Sequence, residues 1–278
     1  MIYPQLDNKV VSSFLLFVDH EIQRQGITAF QNQSSLFYPD ENEIQGFYTY
    51  ACPYKQLCND VSISGANIMS GVYLGNSYVS IGQSGLKYIN HYDGSVTFDH
   101  QIPKNIPISG SFAVKDFSVY VSDQPDYQIV MNDKYHSNPK YAQQATGMNQ
   151  DEKSMPAVFL VPKDQETKPL AFAGVDDNYM RIRAVVVCEN VYQRVAVCGI
   201  LKNLRLKQMK LVTSTPFDYL GNMTGINYDY TTVPMSDLYY PLITKAKVIE
   251  VPQAHSFLDS EKQISMIDFD ISSWGTHM

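Results

Sequence analysis

The residue types that carry chemistry occur in this sequence, but not at the spacings that chemistry needs. Six histidines, His20, His91, His100, His136, His255 and His277, are scattered, with no HxH, HExxH or HxE pairing. His91 falls on an apolar strand face, where a lone histidine is more often a hydrogen-bonded packing residue than a base or a ligand. Five residues separate Cys52 from Cys58 and nine separate Cys188 from Cys198. Zinc knuckles hold their ligands about two to four residues apart, so the four read as buried or half-buried thiols, and no metal is expected. Asp268 and Asp270 share one side of a strand. Like Asp176-Asp177-Asn178, they lack the glycine-bearing acidic loop and terminal Glu of a calcium site. Around Ser84 the run GQSGL carries Leu86 where a hydrolase elbow needs glycine. There is no GxxxxGK[ST], and the glycines from Gly65 to Gly85 do not form GxGxxG. No catalytic residue and no cofactor is therefore expected.

Two groups remain. Arg194, Lys202, Arg205, Lys207 and Lys210 fall in one segment, opposed nearby only by Glu189. On a helix they form a basic face, read either as solvated surface or as a contact with an acidic partner subunit or with nucleic acid passing close by. The second group is aromatic: 20 Tyr against one Trp, with only 18% charged residues, leaves a neutral polar and aromatic surface suited to broad protein contacts or to sugars. A net charge of −7 and a pI near 5.3 exclude a dedicated nucleic-acid binder.

The elements that place these residues are mainly β. Gly75-Asn76 between VYL and SYVS calls for a type II′ hairpin, setting Tyr73 opposite Tyr78 and Val72 opposite Val79. Val72, Leu74, Val79 and Ile81 then share an aliphatic face, and Tyr73 and Tyr78 an aromatic one. Asp93-Gly94 reads as a two-residue type I′ turn that sets Tyr92 opposite Ser95, Asn90 opposite Thr97 and Ile89 opposite Phe98. Ile89, His91, Val96 and Phe98 form its apolar side; Asn90, Tyr92, Ser95 and Thr97 form a polar one.

Residues 8–25 read as an amphipathic helix capped by Asp7 or Asn8, with Val10, Val11, Phe14, Leu15, Val18 and Ile22 on one stripe. Residues 31–45 read as a polar, turn-rich connection, 46–52 as a strand, and 108–122 as a strand bent by a bulge near Asp116. Residues 132–156 carry no period and read as a long polar loop. Residues 157–161 and 169–175 read as a hairpin around the loop PKDQETK, with 180–188 as a buried strand. Residues 190–212 are divided: Leu, Lys and Gln content supports a helix, favoured over 190–208, while Val195, Val197 and Gly199 argue for a strand. Residues 224–233, 245–251 and 263–273 read as strands.

The expectation is a β-sandwich or barrel-like antiparallel fold with an N-terminal helix. It divides into an N-terminal helix and β region (1–131), a polar loop (132–156) and a second β-rich region (157–278), separate or continuous with the first. No stretch approaches the roughly 20 apolar residues of a membrane span, so the chain is expected to be soluble, made in the cytoplasm and without a membrane partner.

The segment LKYINHYDGSVTF, followed by SFAVKDFSVYVS, resembles a pattern of neck and head-to-tail connector proteins of tailed bacteriophages. There a hydrophobic strand, an N-G or D-G turn and a V-x-F strand precede a Tyr-rich strand. The resemblance covers residues 8–122, departs from the pattern at His91, where an acidic residue is expected, and does not extend to the C-terminal half. It implies a virion structural protein forming a homo-oligomeric ring between portal and tail, working through packing surfaces. Tyr73, Tyr78, Asn90, Tyr92 and Thr97 are then the expected contacts with portal, connector or tail proteins. The alternative is a tail-associated adhesion or carbohydrate-binding module, with Tyr73 and Tyr78 stacking on sugars.

Overall fold

The computed structural model describes residues 6–26, 29–40, 46–131, 135–137, 153–171, 175–212, 214–218, 223–234, 236, 239–250 and 262–276. Among the described residues the fold is mainly β, with two large sheets, one small parallel pair and three helices, of which the first is central.

Helix α1 (Leu6–Gln25) includes Asp7 and Asn8 within its first turn, where an acidic side chain suits the helix dipole, so neither is its cap. The expected stripe is buried, but so are Ser13, Leu16, Phe17, Asp19, His20 and Gln23. The helix is enclosed on all sides rather than amphipathic.

The first sheet contains β1 (Phe30–Pro39), β2 (Tyr48–Ala51), β3 (Gly71–Leu74), β4 (Ser77–Ser80), β5 (Leu86–Asn90), β6 (Ser95–Phe98) and β7 (Ile108–Lys115). All neighbours are antiparallel in the order β4-β3-β7-β1-β2-β6-β5. β1 serves two half-sheets: Phe30 to Phe37 pair with β7, and Tyr38 and Pro39 pair with β2. The edge strands β4 and β5 are joined only by residues 81–85, a reach of about 20 Å at most. The sheet therefore curls round on itself, close to a barrel, over a core of Phe37, Val72, Leu86, Val96, Phe98 and Phe112.

After Lys115 come β8 (Ser118–Val121), α2 (Asp126–Met131), β9 (Tyr135–Ser137), β10 (Lys153–Met155), β11 (Ala157–Ala171), β12 (Val175–Cys188), α3 (Val191–Lys202), β13 (Tyr239–Glu250) and β14 (Gln263–Thr276). The second sheet runs β13-β14-β12-β11-β8, antiparallel except for β8 against β11. Alternation along its strands separates two faces. Val158, Leu160, Ile182, Ala184, Val186, Ile267, Phe269 and Ile271 pack on α1 and α3; Phe14 meets Phe269 edge-on at 5.0 Å, worth about 1 kcal/mol beyond area. Phe159, Val185 and Val187 face the other way, onto Ile129 of α2.

Several expectations are corrected. The first hairpin has the expected register, Tyr73 with Tyr78 and Val72 with Val79, and only its turn glycine has positive φ, as type II′ requires. Ile81 is exposed, however, and not part of its aliphatic face. In the second hairpin Asn90 pairs with Ser95, Ile89 with Val96 and Tyr88 with Thr97. The loop spans His91 to Gly94, and the register differs by two residues. A shift of two keeps each side chain on its face, so Ile89, His91, Val96 and Phe98 are all buried as expected. Asp93 lacks the positive φ of a type I′ turn.

Most of the polar connection expected at 31–45 belongs to β1, which runs to Pro39; residues 41–45 lie outside the described residues. The bend near Asp116 is no bulge: there the chain leaves the first sheet for the second. PKDQETK is not a loop but lies inside β11, where it is an edge beyond the end of β8, carrying the charges and prolines that discourage edge-to-edge pairing. Part of 132–156 is ordered as the parallel pair β9 and β10; residues 132–134 and 138–152 lie outside the described residues. The favoured helix over 190–208 ends at Lys202, because the next backbone is taken by the edge of β13: Leu206 N–H donates to Ile243 O and Ile243 N–H to Lys207 O. Residues 224–233 are not a strand: Tyr228 forms an isolated parallel bridge with Asp60, through Asn59 O and Val61 N–H, His91 N–H donates to Gly225 O, and Thr232 and Val233 turn back on Asp229 O. The two sheets meet at Asp116, and α1 belongs to the core of the second.

Candidate interaction surface

Strands β4, β3, β7 and β1 contain a single Lys, Arg, Asp or Glu, Lys115 at the end of β7. Their outer face is consequently uncharged. Direct pairing aligns Tyr78, Tyr73, Ser109 and Leu36 in one row across the four strands. Tyr73, Tyr78 and Leu36 are 44%, 50% and 43% exposed. The two rings meet edge to face at 5.2 Å, and the Tyr78 hydroxyl lies 2.9 Å from Ser70 Oγ. Gly71 makes this position available, since a Cβ there would sit 2.7 Å from the Tyr78 ring and 2.3 Å from Val79 O. Hydroxyl and amide groups continue the surface: Asn67 Nδ2 donates to Ser111 Oγ at 3.4 Å, and Asn32 Oδ1 accepts from Asn67 N–H at 3.0 Å. Beside Leu36 and Tyr38 opens an apolar groove of about 350 Å³ lined by Phe37, Ile102, Pro103, Ile106 and Pro107. Exposed rings, short neutral polar groups and an adjoining apolar groove can bind by area and hydrogen bonding, without charge.

The other expected contact residues lie elsewhere and are turned inward. Asn90 holds the second hairpin's loop: its Oδ1 accepts from Tyr92 N–H at 3.0 Å and its Nδ2 donates to Asp93 Oδ2 at 2.7 Å. Tyr92 is half-buried, its hydroxyl 3.4 Å from Val119 O, and burial followed by the Asp19 charge pushes its phenol pKa well up. Thr97 Oγ1 is 3.4 Å from Thr49 Oγ1. The five cations do not form one face. Lys207 Nζ pairs with Glu21 Oε2 at 2.7 Å, and Lys210 Nζ donates to the carbonyls of Tyr230 and Thr231. Arg194 and Lys202 are on α3, and Arg205 follows it.

What sequence reasoning missed is a buried ionic cluster where α1 meets the first sheet. Lys115 Nζ lies 2.8 Å from Asp19 Oδ2, with both side chains at most 3% exposed. His20 Nδ1 is 2.7 Å from Asp60 Oδ2, and its ring stacks on Tyr230 at 4.5 Å. The other oxygen of Asp60 accepts from Ser62 N–H, Ser62 hydroxyl and Tyr230 N–H. Burial pushes the Asp60 carboxyl up, but the hydrogen bonds with His20, Ser62 and Tyr230 outweigh it and hold it below its ordinary value; at Asp19 burial wins over Lys115 and the carboxyl is raised. Glu21 is lowered, because hydrogen bonds from Lys207 and Arg24 exceed its burial penalty. On the far face of the second sheet, Arg183 grips Asp268 through Nε and a second nitrogen, and Arg181 Nε meets Asp270 at 3.0 Å. Asp270 is likewise held low, its burial offset by Tyr179 and Arg181.

The pH dependence follows. A carboxylate held below its unfolded pKa stabilises the fold above that value and ceases to do so as pH falls through its folded one. Asp60, Glu21 and Asp270 therefore contribute fully near neutrality and lose their contribution below roughly pH 4, while Asp19 has the opposite sign. Urea midpoints are expected to hold between pH 7 and 5 and to fall at pH 3.5; a midpoint that rises at pH 3.5 would mean that Asp19 and Asp93, both raised by burial, dominate.

His91 is buried, with Nδ1 2.8 Å from Gly225 O and Nε2 3.0 Å from Met69 O. It ties the second hairpin to the 223–228 segment, and burial depresses its pKa. A cleft of about 410 Å³ between α1 and β8 is lined by Asn8, Ser12, Tyr92, Tyr120, Lys153 and Phe217. Among the described residues no three His, Cys, Asp or Glu side chains are grouped so as to hold a metal ion, and no helix there is long and apolar enough to cross a membrane.

No protein-family model matches the chain, and no curated protein shows significant similarity to it.

Proposed function

We propose that this chain is a structural subunit of the head-to-tail neck of a tailed bacteriophage, assembling as a ring and meeting its portal-side or tail-side neighbour through the outer face of the first sheet. The supporting observation is the uncharged row Tyr78, Tyr73, Ser109 and Leu36, with three large side chains more than two-fifths exposed. Such rings anchor interfaces because they bury much area for little lost freedom. The resemblance of residues 8–122 to connector proteins points the same way. The work of such a subunit is packing, not catalysis.

Imaging and light scattering of the purified chain, alone and with the products of neighbouring genes, test this reading. Rings of uniform subunit number are expected. Tyr73→Asp and Tyr78→Asp are each expected to weaken attachment to the axial neighbour by about 2 kcal/mol or more, against a loss of about 1 kcal/mol in fold stability from the broken ring pair. A chain that stays monomeric beside those neighbours would overturn the proposal.

The second reading, a carbohydrate-binding module, is favoured by the exposed Tyr73 and Tyr78 pair amid serine hydroxyls and side-chain amides. Glycan-array binding that disappears with Tyr73→Ala would select it.

A further inference from the structure

The second sheet carries an exposed apolar patch on each side. On one side is α3, whose buried residues are Val197 and Leu201. Its outer stripe runs Tyr192, Val195, Ala196 and Gly199 at helical spacing and is continued by Leu206. Tyr192, Val195 and Leu206 are 90%, 60% and 66% exposed. Gly199 sits in the helix interior with nothing within 4 Å of where a Cβ would stand, so no packing within the chain requires glycine there, although glycine weakens a helix. A close approach from outside does use it. At the C-terminal end of the stripe stand Lys202 and Arg205, both exposed.

On the opposite side α2 tucks Ile129 against Val185 and Val187 and presents Tyr127 and Met131, one turn apart and 65% and 60% exposed. The exposed carboxylate of Asp123 precedes them. One patch is apolar with cations, the other apolar with an anion, and they lie on opposite faces of one sheet. The chain carries a net charge of −7, so copies repel except where a cationic patch meets an anionic one.

We propose that α3 of one copy docks on α2 of the next, giving a head-to-tail contact that propagates from copy to copy. Two different patches on opposite faces make a heterologous interface, which closes into a ring or runs on as a filament, unlike the paired patch of a symmetric dimer. Val195 and Tyr192 meet Tyr127 and Met131, Gly199 admits the partner's backbone, and Lys202 and Arg205 face Asp123. An apolar centre with charges at its rim is the anatomy of a protein interface. A duplex would instead be met by a continuous run of cations, and Lys207 and Lys210 are bound within the chain. The inference rests on the ring reading above and supplies its subunit contact.

Full-length variants blocked on one face each decide it. Val195→Asp blocks the α3 face, Met131→Asp the α2 face, and both positions are exposed, so melting temperatures are expected to stay unchanged. By native mass spectrometry the unaltered chain is expected to exceed two copies and each variant alone to be monomeric, weakened at least about tenfold. Their equimolar mixture is expected to stop at a one-to-one dimer, joined by the single intact pair of faces. Arg205→Asp and Asp123→Arg are each expected to weaken assembly and, combined in one chain, to restore it. Gly199→Ala is expected to raise the melting temperature while weakening assembly. Rings that persist in both blocked variants would overturn this contact and leave the ring reading standing. An unaltered chain that is monomeric at tens of micromolar and low salt would overturn both. Blocked variants that remain monomeric when mixed, or duplex DNA binding lost on Lys202→Glu with assembly intact, would show that α3 serves another partner.

Discussion

Replacing Lys115 by methionine is expected to lower the unfolding free energy by about 3–5 kcal/mol, read as a shift in urea midpoint at pH 7. The substitution keeps most of the side chain's volume and removes only its charge. It leaves Asp19, 3% exposed, with no cation beside it; its hydrogen bond from Gln23 Nε2 remains, and a neutral donor does not neutralise it. Burial already raises this carboxyl against the pull of Lys115, so without the lysine it takes up a proton more readily. The folded state then binds a proton that the unfolded state does not, and the deficit of the variant is expected to shrink between pH 7 and 5. Adding Asp19→Leu is expected to recover most of the loss, since a buried pair replaced by apolar groups of similar volume is often neutral. A single substitution costing under 1 kcal/mol would mean that water reaches the pair.

The second large effect separates two glycines that look alike in sequence. Gly75 directly follows β3, Gly94 directly precedes β6, and both have φ near +60°, a conformation costing other residues about 1–2 kcal/mol. A Cβ on Gly75 meets nothing within 4 Å, whereas one on Gly94 would stand 1.9 Å from Tyr54 O and 3.0 Å from Cys52 Sγ. Gly75→Ala is therefore expected to cost about 1–2 kcal/mol and Gly94→Ala about 2–5 kcal/mol, because backbone must move as well. Thermal melts of the two variants side by side make the comparison, and equal losses would show that the Tyr54 segment yields.

That contrast also marks how far the sequence was legible. Gly75-Asn76 makes a two-residue turn from its own backbone preferences, so its register was readable. Asp93-Gly94 sits in a loop shaped by the Asn90 side chain and by the carbonyl of Tyr54, partners that no local pattern reveals, and the pairing came out two residues displaced. β1 was unreadable for a related reason: in FQNQSSLFYP only Phe37 is buried, so hydrophobic alternation is missing although the strand is central. PKDQETK hid a strand because a solvated edge has no apolar face to display. Of the candidate surface, Tyr73 and Tyr78 were identifiable from hairpin parity, whereas Leu36 was not, since β1 was unseen. The ionic cluster was beyond reach: Asp19 and His20, Asp60, and Lys115 are brought together from three places by the crossing at Asp116, and His20 weighed alone was one of six scattered histidines.

The burial of α1 has a consequence for synthesis. Its ring partner Phe269 lies on β14, which is made long after it. At about 5–20 residues per second, the ribosome emits α1 well before β14 exists. The first sheet, residues 30–115, has all its strands early and can close while translation continues. Helix α1 meets β8, β11 and α3 as they are made, but Phe14 lacks its ring partner Phe269 until β14 inserts between β12 and β13. Chains interrupted after β13 thus carry a completed first sheet and a helix covered by β8, β11 and α3 but not by β14, with apolar surface left open on β12 and β13.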